Sequence, residues 1–306
     1  MRPVIFHFDA GQDLLGSLAS KIDCELGENE QRRFPDDESY VRLMTPVEGR
    51  DVILFGSLNH PDIKTLQLLF AADAVRSQGA RSVGLVAPYL AYMRQDMAFQ
   101  LGEAVTSATY ARLLSESFDW LVTVDPHLHR YGSLDAIYTI PSIATTAAEP
   151  IAAWIGAHVE RPCLIGPDVE SAQWVKKIAT LANAPFAIFR KDRHGDFDVE
   201  IEDTASNIPA DATFVIVDDI ASSARTMMEA VRVLKGRGQS DPICIVVHAL
   251  FSGDAYQRLV DAGPAAIVST NSVKHMSNAI DIGDTLGAAV LEALKTTTAP
   301  RPGDSG

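Results

Sequence analysis

The sequence predicts an α/β protein of two similar, doubly wound domains on mainly parallel sheets. Three observations carry that expectation. Short runs of branched apolar residues recur at strand length, over 52–55, 83–87, 121–124, 163–165, 214–217 and 243–250. Helical stretches lie between many of them, and strands alternating with helices give parallel sheets covered on both faces. The chain has 306 residues, which suggests two domains at ordinary domain size.

Taken in order, the first half places a strand over 52–55, a polar loop, a helix over 65–78 stopped by Gly79, and a strand over 83–87. The second half repeats the order: strand 214–217, polar loop, helix 226–235 stopped by Gly236, strand 243–250. Glycine just past a helix end supplies the left-handed residue that terminates it. The repeat lies in element order, not in identities, and two α/β domains of similar fold explain it economically. Prolines and small residues cluster over 141–150 and mark the boundary. The expected domains are 1–143 and 144–295. The Thr-, Pro- and Gly-rich tail 296–306 is expected to be disordered.

Hydrophobic residues make up 47% of the chain and charged residues 22%, ordinary globular values. The net charge of −14 argues against nucleic acid, whose binders rely on a basic face to neutralise phosphates. An acidic protein still binds small phosphates when backbone amides, a metal ion and a few placed cations do so. Cys24, Cys163 and Cys244 are odd in number and far apart. They suit buried small residues in a reducing cytoplasm rather than a zinc site or a disulfide framework. His7 and Asp9 interrupt the N-terminal apolar residues too early for a signal peptide, and no apolar run reaches membrane-spanning length.

The most informative segment is Val217-Asp218-Asp219-Ile220-Ala221-Ser222-Ser223-Ala224-Arg225-Thr226-Met227. A buried strand ends in two carboxylates, small and hydroxyl residues follow, and a helix begins. Parallel sheets bind ligands at the carboxyl ends of their strands. A helix N-terminus offers free N–H groups and a favourable dipole to phosphate. Carboxylates repel a bare phosphate, so Asp218 and Asp219 fit sugar hydroxyls or a magnesium ion beside it. A sugar phosphate satisfies the whole loop. An Asp pair closing a strand, with Ser223 as an ordinary N-cap, accounts for the same letters.

Asp-Asp-Ile-x-Ser-Ser-x-x-Thr after a hydrophobic strand resembles the PRPP-binding loop of phosphoribosyltransferases and PRPP synthetases. Ala224 and Arg225 stand where that loop usually has small residues, mostly glycine. Five further segments resemble the ribose-phosphate pyrophosphokinases (PRPP synthetases), in the family's order. Arg33-Phe34-Pro35-Asp36-Asp37-Glu38 is similar to a Phe-Pro-Asp-Gly-Glu segment that reaches ATP across a subunit interface, with Asp37 in place of the glycine. Pro88-Tyr89-Leu90-Ala91-Tyr92-Met93-Arg94-Gln95-Asp96 is similar to an ATP-binding segment. Asp125-Pro126-His127 matches an Asp-x-His whose histidine binds the magnesium of MgATP, with His129 as a neighbouring alternative. Gly166-Pro167-Asp168 matches a segment whose aspartate lies near magnesium and the ribose, although the bulkier Glu170 and Ser171 follow. Phe189 to Gly195 resembles a mobile loop with a Lys-x-Arg core, here Lys191 and Arg193.

The resemblance implies a phosphoribosyltransferase-like fold in both domains. It implies a magnesium-dependent enzyme that moves the diphosphoryl group of ATP to the anomeric hydroxyl of ribose 5-phosphate, giving PRPP and AMP. Lys191 and Arg193 would be catalytic. Phe34, Asp36, Glu38, Arg94, Gln95 and Asp96 would bind ATP. Asp218, Asp219, Ser222, Ser223, Ala224, Arg225 and Thr226 would bind ribose 5-phosphate, and His127 and Asp168 would hold Mg²⁺. There is no P-loop signature. A homo-oligomer with a shared active site is implied, with neither a nucleic-acid nor a membrane partner. A non-catalytic regulatory relative stays open because of Arg225, Asp37 and Glu170; a PRPP-consuming transferase is the other alternative.

Overall fold

The computed structural model describes residues 1–8, 12–191, 197–200 and 211–297. It divides into two compact units, residues 1–145 with 283–306, and residues 146–282. Both are α/β with mainly parallel sheets.

In unit 1 the strands are β1 (Val4–His7), β2 (Glu25–Leu26), β3 (Asn29–Arg33), β4 (Ser39–Leu43), β5 (Asp51–Phe55), β6 (Ser82–Ala87), β7 (Trp120–Val124) and β8 (Ser142–Thr145). The helices are α1 (Gln12–Ile22), α2 (Pro61–Ser77), α3 (Thr106–Ser117) and, from the chain's end, α8 (Gly283–Thr297). Six strands form a parallel sheet in the order β2-β1-β5-β6-β7-β8, while β3 and β4 form a separate antiparallel hairpin. Every residue of β5, β6 and β7 is buried, as helices on both faces require. The strands expected at 52–55, 83–87 and 121–124 each extend one residue earlier. Helix α2 begins at Pro61, a turn before the expected 65, because proline fits the first turn where no N–H is needed. It stops as expected at Gly79, whose φ is +82°.

The core of unit 1 sets one glycine absolutely. Gly84 of β6 is the cross-strand neighbour of Trp120 in β7, and the fully buried indole lies across it where a Cβ would stand.

Unit 2 holds α4 (Ala148–His158), β9 (Pro162–Gly166), α5 (Ala172–Ala182), β10 (Phe186–Lys191), β11 (Phe197–Glu200) and β12 (Thr213–Ala221). It continues through α6 (Arg225–Gly236), β13 (Ile243–Ala249), α7 (Ala255–Asp261), β14 (Ala266–Thr270) and β15 (Asn278–Ile280). Its sheet runs β11-β10-β9-β12-β13-β14-β15, parallel except for the antiparallel pairing of β10 with β11. From β9 the chain proceeds one way to β10 and β11, and from β12 the other way to β13, β14 and β15. The order reverses between β9 and β12, which opens a crevice at their carboxyl ends.

Three expectations need correction. The C-terminal domain expected over 144–295 stops at Ile282. Helix α8 instead packs on α1, β7 and β8 of unit 1 through buried Leu286, Ala289, Val290 and Ala293, with Lys21 Nζ 3.0 Å from Asp284. An i, i+3, i+4, i+7 stripe says that a helix is buried on one side but not which core it covers. Strand β12 does not stop at Val217: it runs through both aspartates to Ala221, paired with β13. Helix α6 includes Gly236, and the left-handed stop is Gly238 at φ +74°. The tail from residue 298 lies outside the described residues.

Gly84→Ala is expected to lower stability by about 1–3 kcal/mol through overpacking, read from the midpoint of denaturant unfolding. An unchanged midpoint would mean that Trp120 has room the packing does not give it.

Candidate active site

The crevice in unit 2 takes its shape from unequal strand lengths. Strand β9 pairs with β12 only as far as Ile165 opposite Ile216, whereas β12 stays paired with β13 to Ala221. Asp218 and Asp219 therefore overhang the end of β9 while their backbones stay anchored on the far side. Asp219 is buried; Asp218 keeps part of its residue surface exposed, but its carboxyl lies deep among protein atoms. The Asp219 amide donates to Asp218 Oδ1 at 3.0 Å. Burial pushes the Asp218 carboxyl well above its usual range, and the charges of Asp219 and then Asp168 push it further the same way. The three carboxylates thus act on one another electrostatically where β9 and β12 part, an acidic setting suited to sugar hydroxyls.

Asp168 is held in place by the chain that follows it. Its Oδ1 accepts from the amides of Glu170 and Ser171, each at 3.0 Å, and Ser171 Oγ donates to its carbonyl at 2.6 Å. The bulk noted at Glu170 points to solvent, and the Ser171 side chain turns inward. A Cβ on Gly166 would come within 2.5 Å of both Ile188 Cδ1 and Ser171 Oγ, so glycine at the end of β9 permits this turn.

Beyond β12, Ser222 is partly exposed, and its carbonyl accepts from the Ser252 amide at 3.0 Å. The N-cap of α6 is Ala224, not Ser223, and no side chain caps the helix. The first-turn amides have no intrahelical partners, so this uncapped end is open to an anion. Ser223 and Arg225 are exposed and Thr226 partly so. Arg225 places a cation at the positive end of the helix dipole, an unfavourable position unless an anion binds beside it.

The two glycine replacements keep their turns. Ala224 sits at φ +54° and Asp37 at φ +69°, both left-handed, the region a glycine would occupy freely. At Asp37 the hairpin closes with Phe34 N to Glu38 O at 2.8 Å and Asp37 N to Phe34 O at 3.0 Å. Aspartate tolerates this conformation; for alanine it costs about 1–2 kcal/mol.

Unit 1 carries the residues expected to bind ATP and the two candidate histidines. Phe34, Asp36 and Glu38 all project from the tip between β3 and β4 into solvent. The Arg32 guanidinium lies over the rings of Phe34 and Tyr40, 4.7 and 4.0 Å from their centroids. After β6, Arg94 is exposed and Gln95 partly so, while Asp96 turns inward and is buried. After β7, His127 is partly buried and its ring meets the exposed His129 edge-on at 4.1 Å. Sequence reasoning missed Arg130, which pairs with Asp96 at 2.7 Å; nothing in the local pattern marks it. Lys191 ends β10, and Arg193 lies outside the described residues. Among the described residues no group of three or more His, Cys, Asp and Glu side chains makes a metal cage. No helix among them is long and apolar enough to cross a membrane.

A reversed parallel sheet with acids at the switch point and an uncapped helix beside it defines an α/β protein with a ligand crevice at its strand ends. The family model for the N-terminal domain of ribose phosphate pyrophosphokinase matches residues 3–117, and that for the phosphoribosyl transferase domain matches residues 133–282. A ribose-phosphate pyrophosphokinase of Methanopyrus kandleri is 30% identical over 289 residues, 94% of this chain and 98% of the relative. One from Saccharolobus solfataricus is 31% identical, covering 84% and 88%. The crystal structure of phosphoribosylpyrophosphate synthetase from Mycobacterium smegmatis shares the fold, with a TM-score of 0.81 at 23% identity over 97% of this chain and 100% of that one. The chain belongs to the ribose-phosphate pyrophosphokinase family.

The crowded acids give a pH dependence. Because the folded-state pKa of Asp218 is raised above 3.8, the ligand-free protein loses stability as pH climbs from that value through the raised one. Asp218→Asn retains the acceptor for the Asp219 amide and removes the charge. Its thermal midpoint should exceed the unsubstituted protein's by about 2 °C or more near pH 8 and match it near pH 4. An equal difference at both pH values would mean that charge crowding is not the cause.

Proposed function

We propose that this protein transfers the diphosphoryl group of ATP to the anomeric hydroxyl of ribose 5-phosphate. The observation that carries the reading is the unit 2 crevice, in which Asp218 and Asp219 stand one loop away from an uncapped helix N-terminus. That spacing suits a molecule with hydroxyls at one end and a phosphate at the other. Asp218 and Asp219 hold the ribose hydroxyls. The amides that begin α6, with the hydroxyls of Ser222, Ser223 and Thr226, receive the 5-phosphate, and Arg225 adds a nearby cation.

On the nucleotide side, Arg94 and Gln95 with His127 bind MgATP, and the Phe34 tip supplies an exposed ring. In the assembly that the resemblance implies, that ring meets the nucleotide bound to a second copy. Magnesium, when bound, neutralises the phosphate oxygens and draws charge from the bond that breaks. As the resemblance implies, His127 in unit 1 and Asp168 in unit 2 would each offer a side chain to magnesium, a hard cation that also takes phosphate oxygens.

The anomeric oxygen attacks the β-phosphorus, the bond from that phosphorus to the α-phosphate oxygen breaks, AMP departs and the hydroxyl proton is lost. Orientation and neutralisation of charge do most of the work in such a transfer. Lys191 and Arg193 supply cations to the transition state.

Incubation with ribose 5-phosphate, ATP and Mg²⁺ should yield AMP in step with PRPP, dependent on sugar and metal. A folded protein that binds ATP but forms no AMP would instead favour a regulatory relative. Lys191→Ala should lower kcat by about 10²-fold or more and leave ribose 5-phosphate affinity near its original value. Unchanged turnover would remove Lys191 from the mechanism.

A further inference from the structure

Asp96 and Arg130 lie on different loops of unit 1, the first after β6 and the second after β7. The Asp96 side chain is 1% exposed and that of Arg130 51%. Arg130 Nη1 donates to Asp96 Oδ1 at 2.7 Å, while Asp96 Oδ2 is buried and has no hydrogen-bond partner among the described residues. Arg130 also lies 5.5 Å from the Phe99 ring centroid, on the same loop as Asp96. The backbone is tied from the same side. The Tyr131 hydroxyl donates to the Asp96 carbonyl at 3.3 Å, and the Ser107 amide donates to the Gln95 carbonyl at 3.3 Å. The hydroxyls of Ser107 and Tyr131 are 3.0 Å apart. Arg94, one step before these anchors, is left pointing outward.

A buried carboxylate with one oxygen unpaired depends on its single counter-charge. Without it, the carboxylate remains buried and uncompensated, or the loop turns outward until water reaches it. Either response moves Gln95 and Arg94. The loop that supplies the counter-charge also carries His127 and His129, so the pair fixes two loops against each other. We propose that Arg130 is a positioning residue: through Asp96 it holds the turn bearing Arg94 and Gln95 in register with the histidine loop, so that one nucleotide triphosphate meets both. This inference rests on the reading of these loops as the nucleotide side. It gives Asp96 an indirect part in nucleotide binding, in place of the direct contact expected from sequence.

Two readouts on the full chain test it, both independent of turnover: the rate of trypsin cleavage after Arg94, and MgATP affinity by calorimetry. Arg130→Ala should speed the cleavage at least tenfold (an order-of-magnitude expectation for loss of a buried pair). It should weaken ATP about tenfold and leave ribose 5-phosphate affinity within about twofold, and Arg130→Lys should restore most of both. In an Asp96→Ala background, Arg130→Ala should change ATP affinity by less than about twofold, since the partner is already gone. If Arg130→Ala fails to fold, Asp96→Ala, which buries no charge, should show the same faster cleavage and weaker ATP binding. Unchanged cleavage overturns the proposal, as does faster cleavage with unchanged ATP affinity. An equal loss of ATP affinity in both backgrounds also overturns it, by making Arg130 a direct nucleotide contact. Faster cleavage in a protein whose unsubstituted form binds no ATP would support the latch while refuting the nucleotide reading.

Discussion

Between β9 and β12 the order of strands reverses, with β10 and β11 on one side and β13, β14 and β15 on the other. That reversal is the constraint on which the site depends. It lets β12 run past β9 with its backbone still paired to β13. Two adjacent carboxylates are thereby carried over a crevice, while α6 begins one short loop further on. The arrangement is poor for the empty protein. Asp218 is forced toward its protonated form by burial and by two like charges, Ala224 sits in left-handed backbone, and Arg225 faces the wrong end of a helix dipole. In the proposed reading, the crowding at Asp218 and the placement of Arg225 would be relieved by a ligand with hydroxyls or a cation at one end and an anion at the other.

Much of this was legible in the sequence, for physical reasons that can be named. Strands buried on both faces leave continuous apolar runs, so β5, β6, β7, β9 and β13 stood out. The acidic pair and its hydroxyl loop were visible because adjacent aspartates after such a run have few structural uses. The extent of β12 was not, since aspartate disfavours strands and only pairing with β13 overrides that preference. Helix α8 was assigned to the wrong unit because amphipathicity is silent on the partner. Gly236 and Gly238 both look like helix stops, and only the backbone angle separates them. The strands β1 to β4 are short or exposed, and their pattern was too weak to see.

Asp37 stands where the resembled segment has glycine, and Ala224 where the resembled loop has a small residue, mostly glycine. The structure keeps the left-handed turn at both, so they alter local energy rather than shape. Asp96 looked like a ligand contact by resemblance alone, yet it faces inward to Arg130. Pairings between loops from different strands leave no mark on local sequence, and for that reason Arg130 was missed.

With a net charge of −14, the chain would hold the proposed phosphates through local devices such as helix amides and a few placed cations. The most direct test is a crystal structure of the protein with ribose 5-phosphate. The phosphate is expected against the first amides of α6, with the ribose hydroxyls facing Asp218 and Asp219. A phosphate bound elsewhere, with the α6 N-terminus left to solvent, would contradict the account.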